Sequence, residues 1–106
     1  RKTIGRLEKI TGEKYSALHV VGGGSKDAFL ARITADATGK EVLAGPSEAT
    51  AAGNALAQLI ALGEISDLAA ARKTMARNSE IARFVPNAAD YYDEKFSKFE
   101  KLTEEV

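Results

Sequence analysis

Three consecutive glycines and a serine, Gly22-Gly23-Gly24-Ser25, are the part of this sequence best suited to chemistry. Glycine carries no Cβ, so a ligand can approach the backbone closely, and a helix starting just beyond offers unpaired N–H groups to an anion. The run follows the apolar stretch Ala17-Leu18-His19-Val20-Val21, which reads as a buried strand. After it, Ser25 offers an N-cap oxygen and Asp27 puts negative charge in the first turn of a helix, where the dipole favours it. Strand, glycine turn and helix in that order suit a phosphate. They equally suit a tight turn with no ligand. A dinucleotide-binding module would need G-x-G-x-x-G and an acidic residue closing a strand about 20 residues on, and the sequence has neither.

Other reactive side chains are few, and each has a structural reading beside the chemical one. His19, the single imidazole, lies within the apolar run and reads as a satisfied strand or core residue rather than a general base. Lys26 is either a solvated first-turn lysine or a phosphate contact. Glu48, beside Gly45-Pro46, is a first-turn helix charge or a group near a nucleotide and its water. Tyr91, Tyr92, Phe96 and Phe99 could stack on bases, but their helical spacing and a net-acidic tail favour core packing. The absence of cysteine excludes disulfides, thiol nucleophiles and zinc–thiolate sites. No H-E-x-x-H, Walker or G-x-S-x-G pattern occurs, so the residues point to no catalytic group and no metal-ligand set. Mg²⁺ stays open, because that ion needs few protein ligands when a phosphate supplies others.

The elements that must position the glycine turn fit one domain of 106 residues. Fifteen Lys plus Arg against fifteen Asp plus Glu leave no net charge, so the basic footprint of a nucleic-acid binder is missing. No apolar run reaches the ~18–20 residues of a membrane span, and a cytoplasmic location is expected. Ile4, Leu7 and Ile10 mark a helix over Arg1–Thr11 stopped by Gly12. Phe29, Ile33 and Ala37, widened by Leu30, give the next helix its apolar stripe as far as Gly39. Glu41–Ala44 is a second strand, and Gly45-Pro46 turns the chain into an alanine-rich helix from Glu48 to Leu62. On that helix Ala49, Ala52, Gly53 and Leu56 allow close approach of a neighbour. Ser66 caps a further helix from Asp67 to about Arg77, with Leu68, Ala71 and Met75 inward. An extended passage, Ile81–Val85, precedes a capping box of Asn87 and Asp90 and a last helix over Ala88–Leu102, with Glu94 and Lys98 paired on its outer side.

This order is α/β, with two strands expected to pair in parallel. A two-stranded sheet barely sustains itself, and few devices beyond Lys40 and Pro46 blunt an open edge, so self-association of the chain is expected.

Beyond these local readings, three motifs occur together: G-G-G-S at Gly22–Ser25, A-D-x-x-G at Ala35–Gly39, and V-x-A-G-P-x-E-A-T-x-x-G-N at Val42–Asn54. Together they resemble the C-terminal domain of the FGGY carbohydrate kinases, most nearly the branch that phosphorylates L-rhamnulose. The resemblance implies a fragment of an actin-like, ribonuclease H-like ATPase domain, half of a two-domain enzyme with ATP and Mg²⁺ in the cleft. It implies transfer of the γ-phosphate to a ketose hydroxyl, with Gly23 contacting nucleotide and Gly22 and Gly24 shaping the turn. Asp27 stands where the family usually has a nucleotide-facing Asn, and Arg32 where Gln is common. The family's Asp-x-Gly-Thr phosphate loop, sugar pocket and catalytic Asp are not in these residues, so the chain alone is expected to be inactive. With the sugar-reading residues elsewhere, fuculose and xylulose remain alternatives to rhamnulose. A free-standing, non-catalytic interaction module using the alanine-rich helix is the reading from another class.

Overall fold

In the computed structural model, which describes residues 1–104, the sheet is built around strand β2, Glu41–Ala44. Its side chains alternate: Val42 and Ala44 are buried, Glu41 and Leu43 half-buried. That alternation is the signature of a strand with one covered face. Strand β1, Ala17–Val20, pairs with it in parallel from Ala17↔Glu41 to Val20↔Ala44, as expected. On the other side lies an antiparallel strand β3, Ala82–Phe84, within the passage read from sequence only as extended. Three residues with Arg83 in the middle carry no strand period. Pairing with β2 creates the strand, and an exposed Arg83–Glu41 ion pair lies across it. Being central, β2 needs no edge protection, so Lys40 and Pro46 do not blunt an edge; the open edges belong to β1 and β3.

Helix α2, Ala28–Thr38, covers one face of this sheet. Its buried row is Ala31, Ala35 and Asp36 rather than the expected Phe29, Ile33 and Ala37, and Phe29 is 74% exposed. Small side chains allow close approach, so the alanines pack on Val42 and Ala44 with Leu18, Val20 and Phe84 around them. The helix is capped two residues later than expected. Gly23–Lys26 form a 3-10 turn, and Asp27 is the N-cap, its Oδ1 accepting from the Leu30 N–H at 2.9 Å.

Helix α1, Lys2–Thr11, ends at Gly12 in the left-handed conformation, as its sequence requires. Lys40 ties it to the sheet, donating to Glu8 Oε1 at 2.7 Å and to the Tyr15 carbonyl at 2.6 Å. Helices α3, Ala49–Ala61, and α4, Leu68–Asn78, pair around a cavity of about 220 Å³. Gly53 and Leu56 face Ala71 and Met75 there, but a Cβ on Gly53 would meet nothing within 4 Å, so the small-residue face of α3 turns toward α4 without the expected close approach. The cap of α4 is Asp67, whose Oδ1 accepts from the Ala70 N–H at 2.8 Å, and Ser66 donates to the other carboxylate oxygen. Helix α5, Ala89–Glu104, packs on α2. Asn87 and Asp90 do not form the expected capping box. Asp36 Oδ1 of α2 takes the N–H groups of Asn87 and Ala88 instead. Tyr92 and Phe96 are half-buried, while Tyr91 and Phe99 stay exposed, so the aromatic row is only partly a core.

These elements do not close a core of their own. Accessible surface is 7685 Å², where a compact monomer of this mass has about 5,700 Å². The Cα radius of gyration is 17.2 Å, against roughly 13 Å for a compact chain of this length.

Candidate functional site

The glycine turn leaves the carboxyl end of β1 and is fixed there by the loop that follows β2. Gly45 N–H donates to the Val20 carbonyl at 2.8 Å, and Gly22 N–H donates to the Pro46 carbonyl at 3.1 Å. These two bonds carry the parallel pairing past its last residue pair and bracket Val21. The turn then folds on itself: Ser25 donates to the Gly22 carbonyl through its N–H at 3.0 Å and its hydroxyl at 2.7 Å, and Asp27 N–H donates to the Gly24 carbonyl at 3.2 Å.

The three glycines have different reasons to be glycine. Gly22 sits at φ +81°, a conformation that costs any residue with a Cβ. Gly23 and Gly24 have no positive φ, and a Cβ on either would meet nothing within 4 Å. Neither conformation nor packing within the described residues requires glycine at these two exposed positions. They head the 3-10 turn, where the first N–H groups of such an element have no partner inside it. What glycine provides there is bare backbone that an outside group can reach.

Asp27 is at the far end of the turn, with Oδ1 engaged in capping α2. Lys26 is exposed and lines a cavity of about 250 Å³ beside the turn, with Ser25, Gly45, Ser47 and Glu80. Glu48 is the N-terminal cap position of α3 but makes no side-chain cap bond, and it is exposed. His19 is on β1 but exposed rather than buried, because its side chain points to the sheet face that α2 does not cover. It lines a larger, mainly apolar cavity of about 380 Å³ with Val21, Gly45, Met75 and Ile81. Among the described residues no three His, Asp or Glu side chains gather as a metal cage. Two residues that the sequence showed only as parts of the family resemblance matter to the frame. Arg32 donates to the Val85 carbonyl at 2.7 Å and lies over the Phe84 ring, securing the exit of β3. Asp36 is a buried cap for which a lone Asp in a helix pattern gives no signal.

This strand, glycine turn and following loop fall inside the region, residues 1–62, that matches the model of the FGGY family of carbohydrate kinases, C-terminal domain. The chain belongs to that family. As an FGGY kinase segment it is similar to several curated rhamnulokinases. It is 44% identical to that of Bacillus subtilis (strain 168) over 82% of this chain and 18% of the relative. The rhamnulokinase of Pectobacterium carotovorum is 38% identical over 98% of this chain and 21% of its own length. That of Bacteroides thetaiotaomicron is 35% identical over 93% and 20%. The chain thus spans about a fifth of the length of these FGGY relatives. The three-stranded mixed sheet and five α-helices of the described residues are consistent with a fragment of the FGGY C-terminal domain.

Proposed function

We propose that this chain is the nucleotide side of a cytoplasmic rhamnulokinase that transfers the γ-phosphate of ATP to L-rhamnulose. The observation that carries the reading is the pair Gly23 and Gly24, exposed glycines beyond the carboxyl end of β1 with no conformational or packing need among the described residues. Bare, outward backbone at the carboxyl end of a parallel strand pair suits a nucleotide. The relatives named rhamnulokinase supply the reaction and the sugar.

In this reading Gly23 and its neighbour Gly24 offer backbone to the nucleotide, Gly22 shapes the turn, and Asp27 faces the ligand from the α2 cap. A carboxylate there accepts from a ribose hydroxyl or an adenine amino group and repels phosphate, so its place is away from the phosphates. Mg²⁺ accompanies the ATP phosphates and neutralises charge on them; the described residues supply no cage for it. Phosphoryl transfer depends on positioning and electrostatic clamping of the γ-phosphate. The base and phosphate loop for that step belong to segments outside this chain, which by itself is inactive.

ADP release by the complete kinase with L-rhamnulose, L-fuculose and D-xylulose tests the reading, with the isolated chain assayed in parallel. L-rhamnulose as preferred acceptor and an inactive isolated chain are the expected results. Preference for either other ketose reassigns the sugar. ADP formation by the isolated chain, or none with any ketose by the complete protein, overturns the reading.

A further inference from the structure

We infer that Gly45 is a positioning residue for the nucleotide turn, acting through Gly22; this rests on the reading of that turn as a nucleotide contact. Gly45 differs from every other glycine of the chain. It is buried, at φ +126°, and a Cβ built on it would overlap the backbone carbonyl oxygen of Glu80 and come within 3.4 Å of the Ile81 Cα. Every other glycine has nothing within 4 Å of such a Cβ. Both conformation and packing therefore demand glycine here, and the contact is with backbone, which cannot rotate away as a side-chain end can.

What Gly45 touches gives the demand a consequence. On one side is the Glu80 backbone, in the link between α4 and β3, held by the Ala82↔Ala44 pairing that follows it. On the other, the Gly45 N–H holds the Val20 carbonyl, and the next residue, Pro46, accepts from the Gly22 N–H. A side chain at position 45 cannot move Glu80 without disturbing β3. The remaining relief is displacement of the 45–46 loop, which carries Gly22 with it. The loop also forms part of both cavities flanking the turn. Gly45 touches no part of the turn's exposed backbone, so its effect on nucleotide is indirect.

The test is Gly45→Ala in the complete kinase. The expected result is a KM for ATP at least tenfold higher, with kcat and the ketose KM within threefold of wild type. Hydrogen exchange in the peptide covering Val20–Gly24 should accelerate as well. Gly5→Ala, in open space on α1, serves as the neutral control. Gly22→Ala should reproduce the ATP-selective effect from the other end, and the double variant should be no worse than the weaker single variant by more than threefold. If Gly45→Ala does not fold, Gly22→Ala is decisive by faster exchange in the peptide covering Ala44–Glu48. Parallel rises in both KM values with a lowered thermal midpoint, additive effects in the double variant, or unchanged exchange would overturn the inference. Failure of the kinase to use any ketose would refute the functional reading alone, since exchange at Gly22 needs no turnover.

Discussion

Asp36 Oδ1, on α2, accepts the Asn87 backbone N–H at 2.8 Å and the Ala88 N–H at 3.2 Å, capping the start of α5 from 51 residues away in sequence. A helix leaves its first N–H groups unpartnered, and a start packed partly against a neighbouring helix needs an acceptor where water reaches it less freely. The tertiary contact supplies it, with the carboxylate itself buried.

Asp36→Ala removes the acceptor shared by two only partly buried donors, at a cost of about 1 kcal/mol, as for the loss of a helix cap. Asp36→Asn keeps one acceptor oxygen and is expected to cost less. Urea unfolding of the two variants ranks them, and an alanine variant as stable as wild type would show that solvent can replace the cap.

Gly23→Val in the complete kinase is expected to raise the KM for ATP far more than that for the ketose. The added side chain meets open space in this chain, so the unfolding free energy should stay within roughly 0.5 kcal/mol of wild type, as for an ordinary surface substitution. Steady-state kinetics with each substrate varied in turn decides the point; equal effects on both would make Gly23 purely structural.

Asp27 has two jobs in this reading, and two substitutions separate them. Asp27→Ala loses the α2 cap and about 1 kcal/mol of stability, whatever happens at the nucleotide. Asp27→Asn keeps a capping oxygen, removes the negative charge, and is expected to lower the KM for ATP with little change in stability. A higher KM for ATP in the Asn variant would mean that the carboxylate itself is needed by the ligand.

The surface excess over a compact monomer, roughly 2,000 Å² on this one chain, exceeds the ~800 Å² that each partner buries in a standard interface. Ile10 is 81% exposed and Phe29 74%. The isolated chain is therefore expected to self-associate and to bind a hydrophobic dye, with a sedimentation-average mass that rises with concentration. A strict monomer without dye binding would favour the free-standing module.

Glu8 is held below the usual carboxylate range, first by the hydrogen bond from Lys40 and then by the Tyr15 N–H. A folded pKa below the unfolded one means the unfolded chain binds more protons, so this contribution is present above the ordinary glutamate pKa and is lost as pH falls through the folded value. Glu8→Gln should flatten that part of the acid limb. Denaturant midpoints of both proteins from neutral to acid pH test it, and parallel curves would place the acid sensitivity elsewhere.

Much of this was legible in the residues because it is local. Gly12 and Gly39 end helices by a conformation that glycine adopts freely, and both were visible as stops. Glu41–Ala44 read as a strand from its apolar run, and Glu94 with Lys98 as a helical pair at spacing four, found at 2.7 Å. Cap positions slipped by two residues at Asp27 and by one at Asp67, since neighbouring Ser and Asp are near-equal cap formers and only geometry selects between them.

Residue order alone was enough for the helices, the first two strands and their parallel pairing, the glycine turn and, through three motifs, the family. Tertiary structure alone decided what depends on contacts between distant residues. β3 exists because β2 gives its backbone partners; α2 turns alanines inward because the sheet is close; α5 is capped because Asp36 lies beside it. The same holds within the glycines. Gly22, Gly23, Gly24 and Gly45 are one letter in the chain, but φ fixes the first, a neighbouring backbone fixes the last, and nothing among the described residues fixes the two between them. A residue's type records what it can do, and which of those capacities is used depends on neighbours that the order of residues does not name.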